Sequence, residues 1–197
     1  MILQEPLMRC VEEAIEKAVK LRNLNCLITE TFPLALKQAA DAEKRGLEPF
    51  PIVVKDCFAV KDTLMSCSSM MLRNYNVPYT ATVVDRLVRA GGCIIGKSNL
   101  DEFSMGSSSL RGYFGPVKSG FTPEESVIDD WVIPGGSSGG SAVGVQVGLA
   151  KVAIGSDTGG STRNPAAFNG IFGFKPTHHE RTRPLGFYNR QFSSMRI

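Results

Sequence analysis

The chain predicts an α/β fold with a largely parallel or mixed central sheet flanked by helices, and three observations carry that expectation. Segments with apolar residues at helical spacing alternate with short apolar runs of strand length. Glycine or proline marks most of the boundaries between them. Across 197 residues, 43% hydrophobic and 21% charged content suits one packed domain, or part of a larger one, and excludes extensive disorder.

The elements follow in order. Val11, Ile15, Ala18 and Val19 recur at helical spacing and predict a first helix near 8–21. Pro33 precedes and Gly46 follows a second helix over 34–45, the glycine standing where a left-handed residue ends helices. The run PIVV (51–54) reads as a buried strand with Lys55 at its C-terminal end. Thr80 or Thr82 is placed to cap a third helix over 83–90, which Gly91 and Gly92 terminate. CIIG (93–96) is a second buried strand. Residues 141–150 read as a helix packed closely through Gly144 and Gly148, and KVAIG (151–155) as the next strand. No apolar run approaches the ~18 residues needed to cross a bilayer, so no membrane association is expected.

The chemistry concentrates in residues 135–164. Eleven of the 20 glycines lie between Gly135 and Gly173, interleaved with apolar segments, which marks a site rather than a flexible linker. Two serine-bearing clusters, GGSSGGS (135–141) and SDTGGS (156–161), place Ser137 and Ser161 24 positions apart. A hydroxyl becomes a nucleophile only with a base, and the two histidines, His178 and His179, lie beyond the last apolar motif. A lysine held neutral by burial is the other route, and Lys55 stands at a strand end where α/β enzymes place catalytic groups. On residues alone Lys55 stays open between that role and a solvated strand end. The glycine–serine clusters likewise admit an anion-binding loop, although no nucleotide-binding glycine pattern is present. The backbone N–H groups of Thr158, Gly159, Gly160 and Ser161 are placed to converge as an oxyanion hole. Asp157 and Arg163 read as a supporting ion pair bracing that turn.

Lys55, GGSSGGS and DTGGSTRNPAAFNG together resemble the amidase signature family of serine hydrolases. The resemblance implies the amidase signature fold, of which this chain would hold the N-terminal part over 1–177. It also implies a Ser-cisSer-Lys triad. Lys55 would be the base, Ser137 the bridging serine in a cis peptide, Ser161 the acyl-forming nucleophile, and Ser138 a residue that orients its neighbours. NLDEFSMGSSS (99–109), the following FGPVKS, LNCLITET and ALKQAADAEKRG resemble the A subunits of glutamyl-tRNA(Gln) amidotransferases, in wording closest to the mitochondrial branch. Such a subunit hydrolyses glutamine to glutamate and ammonia. The ammonia passes to a B subunit, which uses ATP and Mg to convert glutamyl-tRNA(Gln) to glutaminyl-tRNA(Gln), while a C subunit clamps the two. The resemblance thus implies no cofactor in this chain, a heterotrimer, and contact with tRNA only through the B subunit.

The chain departs from the family in three places. LEPFP (47–51) replaces the usual lead-in to PIVVKD, and GFTPEESVIDDWVI (120–133) reads as an acidic surface insertion. Residues 178–197 read as a divergent basic tail, a candidate for disorder, holding Arg181, Arg183, Arg190 and Arg196 against Glu180. Without it the chain is close to neutral and has no electrostatic footprint for tRNA. Five cysteines without C-x-x-C spacing suggest neither a metal site nor a disulfide framework and fit a reducing compartment, with Cys57 a small buried filler near Lys55. The mitochondrial matrix is the expected location by resemblance, although the acidic amphipathic start leaves little room for a transit peptide and keeps the cytosol as the alternative. Two other functions stay open: a general or fatty-amide hydrolase of the same family, and an inactive fragment acting only through partner binding.

Overall fold

A computed structural model describes residues 8–123, 131–176 and the backbone of 192–196. Five α-helices and six strands are seen among them: α1 (Arg9–Lys20), β1 (Leu27–Glu30), α2 (Phe32–Lys44), β2 (Phe50–Lys55), α3 (Thr82–Arg89), β3 (Gly92–Ser98), α4 (Gly139–Gln146), β4 (Val152–Ser156), α5 (Arg163–Phe168), β5 (Phe172–Phe174) and β6 (Phe192–Arg196). The strands form one mixed sheet in the order β1-β3-β2-β4-β6-β5. β2 runs parallel to both β3 and β4, while β1, β5 and β6 pair antiparallel.

The period-2 alternation of the central strands divides the core into two layers. Val53, Ile95 and Ala153 point to one face, where Val11, Ala14 and Ala18 of α1, Ala35 and Ala39 of α2, and Ala142, Val143 and Val145 of α4 cover them. Ile52, Val54, Ile94 and Ile154 point to the other, against Val84 of α3 and the segment carrying Phe58, Ala59, Met65 and Cys67. A sheet buried on both faces requires near-continuous apolar strands, which is how 51–54 and 93–96 read. Val11, Ala14 and Ala18 recur at three and four residues and form the buried stripe of α1, while Lys17 and Lys20 favour its negative C-terminal end.

Several boundaries differ from the sequence reading. Neither Thr80 nor Thr82 caps α3; Ala81 holds that position, and the Thr80 hydroxyl instead accepts the Lys61 N–H at 3.0 Å. α4 begins at Gly139 rather than 141 and ends before Gly148, whose φ of +75° cannot continue a helix. α1, α2, β2, β3 and β4 fall within a few residues of their expected places. The short β1, α5, β5 and β6 were not foreseen as elements. Of the acidic insertion, 124–130 lie outside the described residues, as do 177–191 and 197 of the expected basic tail, while 192–196 pair as β6 between β4 and β5.

Candidate active site

Because β2 and β4 are parallel neighbours, with Val54 opposite Ile154, their C-terminal ends finish side by side. That register brings Lys55 to Ser156. The Lys55 amine is fully buried and donates to Ser156 Oγ at 2.8 Å and to Ser137 Oγ at 2.8 Å. Ser137, itself fully buried, lies just ahead of α4 on a cis Gly136–Ser137 peptide. The Lys55 and Ser137 groups of the sequence reading are therefore in direct contact.

Ser161 lies at the same place by its backbone. Its carbonyl accepts the Ser138 N–H at 3.1 Å, and the Asn164 side chain accepts the Gly136 N–H at 3.0 Å. These two bonds stitch the glycine–serine clusters together across the ends of β2 and β4. The half-buried Ser161 hydroxyl makes no hydrogen bond among the described residues, so it is not joined to the Lys55–Ser137 pair. The Ser138 hydroxyl donates to the Ser156 carbonyl at 3.2 Å.

Asp157 organises the turn that carries Ser161. Its carboxylate, fully buried, receives the Arg163 guanidinium at 2.9 and 3.0 Å and the N–H groups of Gly160, Thr162 and Arg163 at 2.7, 3.2 and 3.2 Å. Burial works against the charged form, but the Arg163 and backbone donors outweigh it and hold the carboxyl well below the usual carboxylate range. One consequence differs from the sequence reading: the Gly160 N–H is committed to Asp157. The N–H groups of Thr158, Gly159 and Ser161 make no hydrogen bond among the described residues.

Burial lowers the Lys55 pKa from 10.5 to about 8, against the opposing pull of Cys57, Asp101, Asp157 and Cys67. A tenth or so of the amine is then neutral one pH unit below that value, and half at it. Cys57 is buried, with Sγ 3.8 Å from Ser156 Oγ, and burial pushes the Cys67 thiol up to about 12. Beside this centre, Asp56 and Lys97 form an ion pair at 2.8 Å with both side chains almost wholly out of water. No cluster of three or more metal-binding side chains occurs among the described residues, and no described helix is long and apolar enough to cross a membrane.

Sequence reasoning missed Ser156 and Asp101. Ser156 was within reach of the argument that selected Lys55, since it ends the strand next to β2. Asp101 stands inside the string NLDEFSMGSSS, but its role was not read there, because its contacts come from a loop whose path the sequence does not disclose.

The fold and the paired lysine and serines define a class, and the comparisons agree with it. The profile of the family described as Amidase matches residues 9–188, and the chain belongs to that family. It is similar to the mitochondrial glutamyl-tRNA(Gln) amidotransferase A subunits of Xenopus tropicalis, at 48% identity over 79% of this chain and 34% of the relative, and of Homo sapiens, at 46% over 81% and 34%. Among solved structures it resembles the native peptide amidase of Stenotrophomonas maltophilia, at 28% identity and a TM-score of 0.83 over 98% of this chain and 42% of that one. It also resembles the A subunit of glutamyl-tRNA(Gln) amidotransferase from Thermotoga maritima, at 28% and 0.76 over 98% and 44%. The chain thus spans about a third of the length of the curated relatives it matches.

Proposed function

We propose that this chain carries the catalytic half-site of a glutamine-hydrolysing amidotransferase A subunit. The observation that supports it most is the buried Lys55 amine at 2.8 Å from the hydroxyl of Ser137. With the amine neutral, its lone pair accepts the Ser137 proton while one N–H stays on Ser156. Rotation of the unpaired Ser161 side chain about χ1 lets Ser137 take the Ser161 proton in turn. Ser161 Oγ attacks the amide carbon, and the N–H groups of Thr158, Gly159 and Ser161 are free to receive the oxyanion. The proton held by Lys55 returns through Ser137 to the departing nitrogen, releasing ammonia and leaving an acyl ester on Ser161. Water then attacks the ester by the same relay, so that glutamine and water give glutamate and ammonia.

The similarity to mitochondrial A subunits supports the rest of the reading. Ammonia would pass to a B subunit that uses ATP and Mg on glutamyl-tRNA(Gln), with a C subunit completing a heterotrimer in the mitochondrial matrix. No cofactor is assigned to this chain itself. The similarity to a peptide amidase favours a second reading, an amidase of another small amide. The test is ammonia release by the protein together with its B and C partners from glutamine, C-terminal peptide amides and fatty amides. Release from glutamine alone, abolished by Ser161→Ala, is the expected result. Preference for another amide selects the second reading, and release unaffected by Ser161→Ala overturns both.

A further inference from the structure

Asp101 follows β3 and is fully buried. Every contact to its carboxylate is a donor: the N–H of Ser109 at 2.9 Å and of Ser108 at 3.3 Å on one oxygen, and the N–H of Arg111 at 3.3 Å on the other. No cation pairs with it among the described residues. Its own N–H donates to the Ser137 carbonyl at 3.3 Å. The loop it gathers packs against Gly136, the residue before the bridging serine. A Cβ on Gly136 would overlap Asp101 Oδ2 and stand 2.7 Å from the Ser108 nitrogen, so only glycine fits between them. Ser109 closes the arrangement, donating to the Gly135 carbonyl at 2.9 Å and accepting the Gly139 N–H at 3.0 Å.

We propose that Asp101 is a positioning residue for the lysine–serine pair: its carboxylate ties the 108–111 loop against the Gly136–Ser137 segment, whose hydroxyl receives the Lys55 amine, and its negative charge balances that amine when it holds a proton. An acceptor bonded only to neutral amides keeps its charge unneutralised, and in a dry site that charge reaches further than in water. Asp101 is one of the groups that favour the protonated Lys55. The other groups that act on the amine in the same sense are Cys57, the strongest, then Asp157 after β4 and Cys67. Asp157 already has Arg163 as its partner, and Asp56 beside Lys55 is held by Lys97. Among the described carboxylates that act on Lys55, Asp101 is thus the one without a cation of its own. The role of that charge in turnover rests on the hydrolase reading above, but the electrostatic link does not.

The test is a titration of the Lys55 amine by NMR with isotope-labelled lysine, its resonance assigned by disappearance in Lys55→Met. Asp101→Asn removes the charge and nearly keeps the shape; Asp101→Ser leaves room for water to receive the three amides. Both are expected to move the Lys55 midpoint to lower pH by about one unit, the scale of one neighbouring charge. A residue that only shaped the loop would weaken folding and leave the midpoint at its wild-type value, and that result overturns the proposal. Labelling of Ser161 by an alkyl fluorophosphonate is measured alongside. A shifted midpoint with no labelling keeps the electrostatic link and rejects the hydrolase reading; labelling with an unmoved midpoint does the reverse.

Discussion

Burying Lys55 costs stability at neutral pH, and the cost is measurable. The amine is fully buried and its pKa falls from 10.5 to about 8 through burial. That gap corresponds to about 3 kcal/mol at roughly 1.4 kcal/mol per pH unit. Below about pH 8 the folded chain holds a charged amine in a dry site, and the cost is present in full. Between about 8 and 10.5 the unfolded chain binds more protons than the folded one, so stability rises with pH across that window. Lys55→Met removes the titration and keeps the volume. It also strands the Ser137 hydroxyl, while Ser156 keeps Ser104 and Cys57 as partners, and that loss does not vary with pH. The stability of wild type minus that of Lys55→Met is therefore expected to climb by about 2 kcal/mol between neutral pH and pH 10, read by urea unfolding at each pH. Every other group is common to both proteins and cancels in the difference. A difference that stays constant with pH would refute the depressed lysine, and with it the neutral base.

Three further outcomes follow from the same structure. Lys97→Met leaves Asp56 as a buried, unpaired carboxylate and is expected to destabilise by about 3–5 kcal/mol in urea unfolding, against near-neutral effects at an exposed lysine such as Lys151. Gly140→Ala places a Cβ 2.6 Å from the Asn99 carbonyl oxygen and 2.8 Å from its nitrogen, and is expected to cost about 1–3 kcal/mol as α4 shifts off the sheet. Asp157→Ala releases the N–H groups of Gly160, Thr162 and Arg163, and is expected to slow Ser161 labelling at least tenfold while far-UV circular dichroism stays unchanged, since the turn and not the sheet depends on it.

What the sequence disclosed was what repeats or concentrates. The apolar runs of β2 and β3 and the stripe of α1 are strong because both faces of the sheet, and one face of the helix, must be buried. β1 was invisible because an edge strand of three half-buried residues and one exposed one needs no apolar pattern. α5 spans six residues with a proline inside, too short for any periodicity to register. The early start of α4 has a tertiary cause. Gly139 and Gly140 read as loop by propensity, but Gly140 packs against the backbone of Asn99, a contact no local rule contains. The same division holds in the site. Lys55 and Ser137 sit in recognisable strings, and their contact follows once β2 and β4 are known to lie side by side. The diversion of the Gly160 N–H to Asp157 and the loop around Asp101 depend on backbone paths that no spacing encodes.

The most direct test of the relay is to treat the protein with an alkyl fluorophosphonate and map the adduct by mass spectrometry, in wild type and in Lys55→Met. The account predicts one phosphonylated residue, Ser161, whose labelling rate rises with pH up to about 8 and falls at least a hundredfold without the lysine. An adduct on Ser137 or Ser156 in place of Ser161, or labelling of Ser161 that persists undiminished in Lys55→Met, would contradict it.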